Sequence, residues 1–156
     1  MKEPEGKCFV LSRFLFLAAM MFTAACASNS ALDQKERKWE AQEITHYRMK
    51  VHHMQSIWHL QVYEIEYADG EISHTATCMP APAEDGKCEV KDYDPAAYTV
   101  EGLFETAHRM LESKESKWAT VAYNAEFGYP ESITFDDPNL IDEDSAWIVV
   151  SFEAIN

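Results

Sequence analysis

The chain is 156 residues long, with 13 basic and 27 acidic side chains and a formal net charge of −14. That length suits one domain with a single core. The charge excludes nucleic-acid binding, because there is no cationic surface to release phosphate counterions, and no cofactor is expected.

Lys2, Lys7 and Arg13, set against Glu3 and Glu5, precede an apolar run, Phe14 to Ala25, of 12 residues. Such a run fits the core of a signal peptide and falls short of the about 20 residues that a membrane-spanning helix needs. It closes as Thr23-Ala24-Ala25-Cys26, which resembles a bacterial lipoprotein signal. The resemblance implies that residues 1–25 are removed and that Cys26 is lipidated and becomes the mature N-terminus. The protein would then be held on a membrane of the cell envelope, facing the periplasm or the exterior. Ala27 rather than aspartate follows the cysteine, which favours an outer membrane where the cell has one. Each buried methylene of the lipid would contribute about 0.8 kcal/mol to anchoring. A cleaved secretory signal without lipid and an uncleaved anchor are the alternative readings. Three of the basic and two of the acidic residues lie in the leader, so residues 26–156 carry −15. Residues 26–37 read as lipidated N-terminus and tether, and 38–156 as a single domain.

Ala27 to Ala31 reads as tether, and Leu32 to Gln42 as a short charged helix anchored by Trp39. Three strand-like runs follow at 44–54, 57–68 and 71–78. Asp69-Gly70 is a strong type I′ hairpin signal between the second and third; Gln55-Ser56 is the candidate turn between the first and second. A two-residue loop there sets His52 opposite His59 and Met49 opposite Val62. Tyr47, Met49 and Val51 then share a core-facing side with Trp58, Leu60 and Val62. The other side carries His46, His52, His59, Tyr63, Ile65, Tyr67 and His74. Thr99 is the N-cap of the main helix, with Glu101 in its first turn and Val100, Leu103, Phe104, Ala107 and Leu111 as its apolar stripe. Strands are expected at 118–126, 131–136 and 146–154, the last with Ile148, Val150 and Phe152 on one face. Phe127-Gly128-Tyr129-Pro130 forms a turn. The fold class is therefore α+β: a single antiparallel sheet of five to six strands, one main helix packed on one face, and a short N-terminal helix.

Cys8 leaves with the leader and Cys26 takes the lipid. Cys78 and Cys88 remain, flanking a Pro/Ala/Gly-rich stretch. In an oxidising envelope a disulfide between them is the default; a redox or metal pair is the alternative, without CxxC spacing to support it.

Thr99-Val100-Glu101-Gly102-Leu103-Phe104, Val121-Ala122-Tyr123-Asn124, Gly128-Tyr129-Pro130 with Ile133 and Asp136, and Asp142-Glu143 follow Trp39, Tyr47-Arg48 and Asp69-Gly70. This order resembles a family of small bacterial lipoproteins, domain of unknown function 6174, from Trp39 to Phe152. The resemblance implies no activity. It implies a Cys-x-Cys pair after the first strand, where this chain reads Val51-His52-His53-Met54-Gln55.

Two constellations could hold metal. His52 and His59, as cross-strand neighbours, would suit a transition ion; Asp136, Asp137, Asp142 and Asp144 offer the oxygens calcium takes, without the spacing of an EF-hand. The bland readings are solvated histidines on a sheet and a turn whose carboxylates hold backbone N–H groups. Ser132, Thr134 and Ser145 have no identifiable base, so no catalytic residue is expected and the chain is not read as an enzyme. The expected function is a lipid-anchored, non-enzymatic binding or structural module of the envelope, with Tyr63, Ile65 and Tyr67 as its binding face. Its partners would be the membrane and an envelope protein or a small molecule; a metal-binding lipoprotein is the alternative.

Overall fold

The computed structural model describes residues 27–56, 59–80, 89–139 and 144–155. The leader, Cys26, Trp58, Cys88 and Asp142 lie outside them. Helix α1 spans Ala27–Glu40, so the expected tether at 27–31 is helical. Strands β1 (His46–Ser56), β2 (His59–Ala68) and β3 (Glu71–Pro80) follow, then helix α2 (Val100–Glu112), then β4 (Ala119–Tyr123), β5 (Pro130–Phe135) and β6 (Ser145–Ala154). Residues Leu32–Asn156 make one compact unit. Leu32 is buried in the core, so that unit begins there rather than at Lys38. Among the described residues no helix is long and apolar enough to cross a membrane.

All six strands join one antiparallel sheet in the order β3-β2-β1-β6-β5-β4. The Asp69-Gly70 hairpin forms as its chemistry demands: both residues take positive φ, 49° and 93°, as a type I′ turn requires. Thr99 caps α2, its Oγ1 accepting from Gly102 N at 3.1 Å. The stripe Val100, Leu103, Phe104 and Ala107 is buried against the sheet residues Tyr47, Met49, Val51, Tyr63, Ile65 and Ile133. Gly128 serves a second packing purpose. Its φ is +93°, and an added Cβ would lie 2.9 Å from the Lys35 carbonyl of α1. Only glycine both makes this turn and lets α1 rest on it.

The register of β1 on β2 corrects the expected one. Gln55 and Ser56 belong to β1, Met54 faces Leu60, and His52 faces Val62 instead of His59. The offset is three positions, an odd number, so every β2 side chain changes face. Tyr63 and Ile65 are 1% and 2% exposed and Tyr67 packs against the same core. The expected binding face of Tyr63, Ile65 and Tyr67 is therefore interior. Leu60 and Val62, assigned to the core side, lie on the other. A second correction comes from a β-bulge between Lys50 and Val51, where Lys50 faces Ser151 but Val51 faces Val149. The extra residue, Val150, breaks the alternation of β6. Trp147, Val149 and Phe152 pack on the core, while Ile148 and Val150 are 39% and 46% exposed.

Candidate functional site: the open face of the sheet

The helices and the buried aromatics take one face of the sheet. The other face carries the alternate residues of every strand, and most of these are exposed. Cross-strand pairing sorts them into rows. One row reads Met79, Leu60, Met54, Ala146, and the next reads Thr77, Val62, His52, Ile148. Beyond them come Thr75, Glu64, Lys50, Ser151 and then Ser73, Glu66, Arg48, Glu153. The face is thus divided crosswise into an apolar half and a charged half.

In the charged half each cation faces its anion across the β1–β2 ladder. Lys50 Nζ lies 2.7 Å from Glu64 Oε1, and Arg48 Nε donates to Glu66 Oε2 at 2.9 Å. His46 Nε2 sits 3.3 Å from the other Glu66 oxygen. The hydrogen bonds from Arg48 and His46 hold the Glu66 carboxyl below its usual range. Opposed charges in direct cross-strand register reinforce the pairing, though exposure keeps each contribution small. The surface here forms a shallow depression of about 560 Å³, lined among others by Arg48, Lys50, Glu64, Glu66, Ser73 and Thr75. In the apolar half Met54, Met79 and Ile148 are 36%, 50% and 39% exposed. Flexible thioethers beside aliphatic groups make a surface that can mould to a partner.

The model for the family of unknown function DUF6174 matches residues 31–154. The chain belongs to this family. No curated protein and no solved structure matches it. The DUF6174 match spans all six strands, α2 and most of α1, so the open face is formed wholly within it.

The two histidines expected to hold metal in this DUF6174 domain are not brought together. His52 lies on the open face opposite Val62 and Ile148, whereas His59 stands opposite Ser56 and Pro80; the two are not cross-strand neighbours. In the acidic loop, Asp137 Oδ1 accepts from Asn139 N at 3.0 Å and from Asn139 Nδ2 at 2.7 Å. Asp137 thus closes an Asx turn. Asp136 and Asp144 flank the undescribed residues 140–143. Cys78 lies half-buried on β3.

Three polar features escaped the reading of the sequence. Glu101 joins both helices to β1: Oε1 accepts from Trp39 Nε1 at 3.1 Å and Oε2 from Tyr47 OH at 3.0 Å. Tyr47 OH in turn accepts from Val100 N at 3.0 Å, and burial with the adjacent Glu101 charge drives its pKa far up. His53 is buried, its Nδ1 2.8 Å from Tyr98 OH and its ring stacked on Trp147 at 4.3 Å. Desolvation, aided by the charge of Lys91, pushes its pKa down to about 4. Tyr98 stacks on Tyr63, whose hydroxyl donates to Gln61 Oε1. The third is a group of Asp33, Glu36 and His108 on the two helices. Strand alternation marks His53 as inward-facing, since it follows Tyr47, Met49 and Val51 at every second place. No pattern within α1 or α2 foretells that His108 meets Glu36.

Proposed function

We propose that this DUF6174 protein is a lipid-anchored, non-enzymatic binding module of the bacterial envelope, held through Cys26 and engaging another envelope protein through its open sheet face. The Thr23-Ala24-Ala25-Cys26 ending of the leader supports the anchor. The observation that carries the binding reading is the split of the open face. An apolar half with exposed Met54, Met79 and Ile148 adjoins a half whose charges are already paired with one another. The apolar half supplies area to bury, and the polar half supplies a solvated rim, as protein interfaces require. In the same reading Cys78 pairs with Cys88, closing a short loop at the end of β3. Such a closure contributes about 2–3 kcal/mol by chain entropy.

Crosslinking and pull-down from intact envelope test this directly. The full-length protein should capture a specific partner, and Met54→Lys with Ile148→Lys should lose it while melting at the same temperature. Capture undiminished by that double change would refute the assignment of the face. Cys26→Ala should release the protein from membranes or stall its processing. Normal cleavage with unchanged partition into the detergent phase would refute the anchor. Mass spectrometry of unreduced, alkylated protein from its own envelope should find Cys78 and Cys88 blocked; two alkylated thiols would refute the pairing.

A further inference from the structure

We propose that Asp33, Glu36 and His108 form a binding site for a divalent transition metal, with zinc as the best fit, between α1 and α2. One oxygen from each carboxylate and one ring nitrogen of the histidine lie within 4.8 Å of one another, and all three residues are half-buried. His108 Nε2 is already 3.0 Å from Glu36 Oε2. Atoms bound tetrahedrally to one zinc at about 2.0–2.2 Å lie about 3.3–3.6 Å apart. The closest pair would part slightly to admit the ion and the most distant would draw in, both by side-chain adjustment.

The arrangement follows from helix geometry. Asp33 and Glu36 stand three residues apart on α1, so both carboxylates project from one face. Their neighbour Leu32 is buried in the core, which fixes that face. On α2, Ala107 is fully buried and His108 follows it at the flank, with its ring directed at α1. Glu112, one turn further on, places Oε1 4.0 Å from His108 Nδ1. At that distance it makes no hydrogen bond and acts as a nearby negative charge that favours a bound cation. Three protein ligands leave a fourth position open. Glu36 also lines a recess of about 300 Å³ beside Trp39, Glu40, Glu43 and Glu101. Of the three ligands only Glu36 lines this recess, so it meets the site at that one residue, and a water would complete the coordination. Imidazole with two carboxylates selects zinc and its first-row neighbours over calcium and magnesium, which take oxygen donors. The site is independent of the open sheet face, on the other side of the sheet.

The test is calorimetric titration of the full chain, solubilised in detergent and stripped with EDTA, with zinc chloride and then with calcium chloride as the probe. One equivalent of zinc should bind, and calcium should not compete. His108→Asn and Glu36→Gln should each weaken binding at least about tenfold, and Glu112→Gln by a smaller factor. His52→Asn with His59→Asn should change nothing. Glu36→Gln keeps the shape of the side chain, so it separates loss of a ligand from loss of fold, and melting of the metal-free variants checks the latter. The proposal is overturned by absence of saturable zinc binding. It is equally overturned by binding that survives both His108→Asn and Glu36→Gln, or that vanishes with the His52/His59 pair.

Discussion

The two faces of the sheet are made from alternate residues of the same strands, yet they obey different rules. On the covered face Tyr47, Met49, Val51, Tyr63 and Ile65 are all at or below 3% exposure. Their polar atoms find fixed partners, as the Tyr47 hydroxyl does between Val100 N and Glu101. On the open face neighbouring residues of the same strands, Arg48, Lys50, Glu64 and Glu66, meet in solvated ion pairs. Burial makes each group on the first face costly to change, whereas solvent makes the paired charges of the second nearly free to vary; Val62 and Ala146, 8% and 5% exposed, are the buried members of that second face. Stability therefore resides chiefly on one side.

The largest expected effect is on the covered side. Leu103→Ala or Phe104→Ala removes a side chain that is 1% or 2% exposed and should cost about 2–5 kcal/mol, read by denaturant unfolding. A loss below about 1 kcal/mol would mean that α2 does not seal this face.

Acid should act next, through His53. Its pKa is pushed down to about 4 from 6.5, so the native state prefers the neutral ring. The stability this represents is complete above the unfolded value near 6.5. It falls as pH drops, because the unfolded chain takes up the proton first, and is gone below about 4. The loss should be up to about 3 kcal/mol. Comparing melts at pH 7 and pH 4 for the protein and for His53→Gln isolates this contribution, and the variant should show the shallower dependence.

Glu101→Ala should cost about 1–2 kcal/mol, since it removes the acceptor of both Trp39 and Tyr47 at a partly solvated position. Glu101→Gln should retain part of that stability, because one amide oxygen can still accept. Equal losses for the two would show that Glu101 acts by packing alone.

The smallest effect belongs to the open face. Met54→Ser with Ile148→Ser should shift stability by no more than about 0.5 kcal/mol each. A larger shift would erase the contrast between the faces and place both in the core.

Local chemistry made much of this fold readable. Asp69-Gly70 could only be a tight hairpin, because adjacent residues at positive φ suit few other sequences. Thr99 with the spacing of Val100, Leu103, Phe104 and Ala107 marked a capped helix and its buried side. Alternation at Tyr47, Met49 and Val51 identified the inward face of β1. These signals span a few residues and depend on backbone preferences or on periodicity, which a sequence displays directly.

The tertiary structure decided the rest. Tyr63, Ile65 and Tyr67 lie inside because β1 runs on through Gln55 and Ser56, and a three-residue offset in one hairpin reverses every partner. Alternation shows that two faces exist, and only the pairing of strands says which belongs with which. Val150 points outward because a bulge against Lys50 and Val51 adds one residue to β6, a defect of pairing that leaves no mark on the hydrophobic pattern. Glu36 and His108, 72 positions apart, meet because α1 and α2 pack against a common core. A side-chain contact of that kind is a property of how helices are placed in space, and no spacing along the chain encodes it.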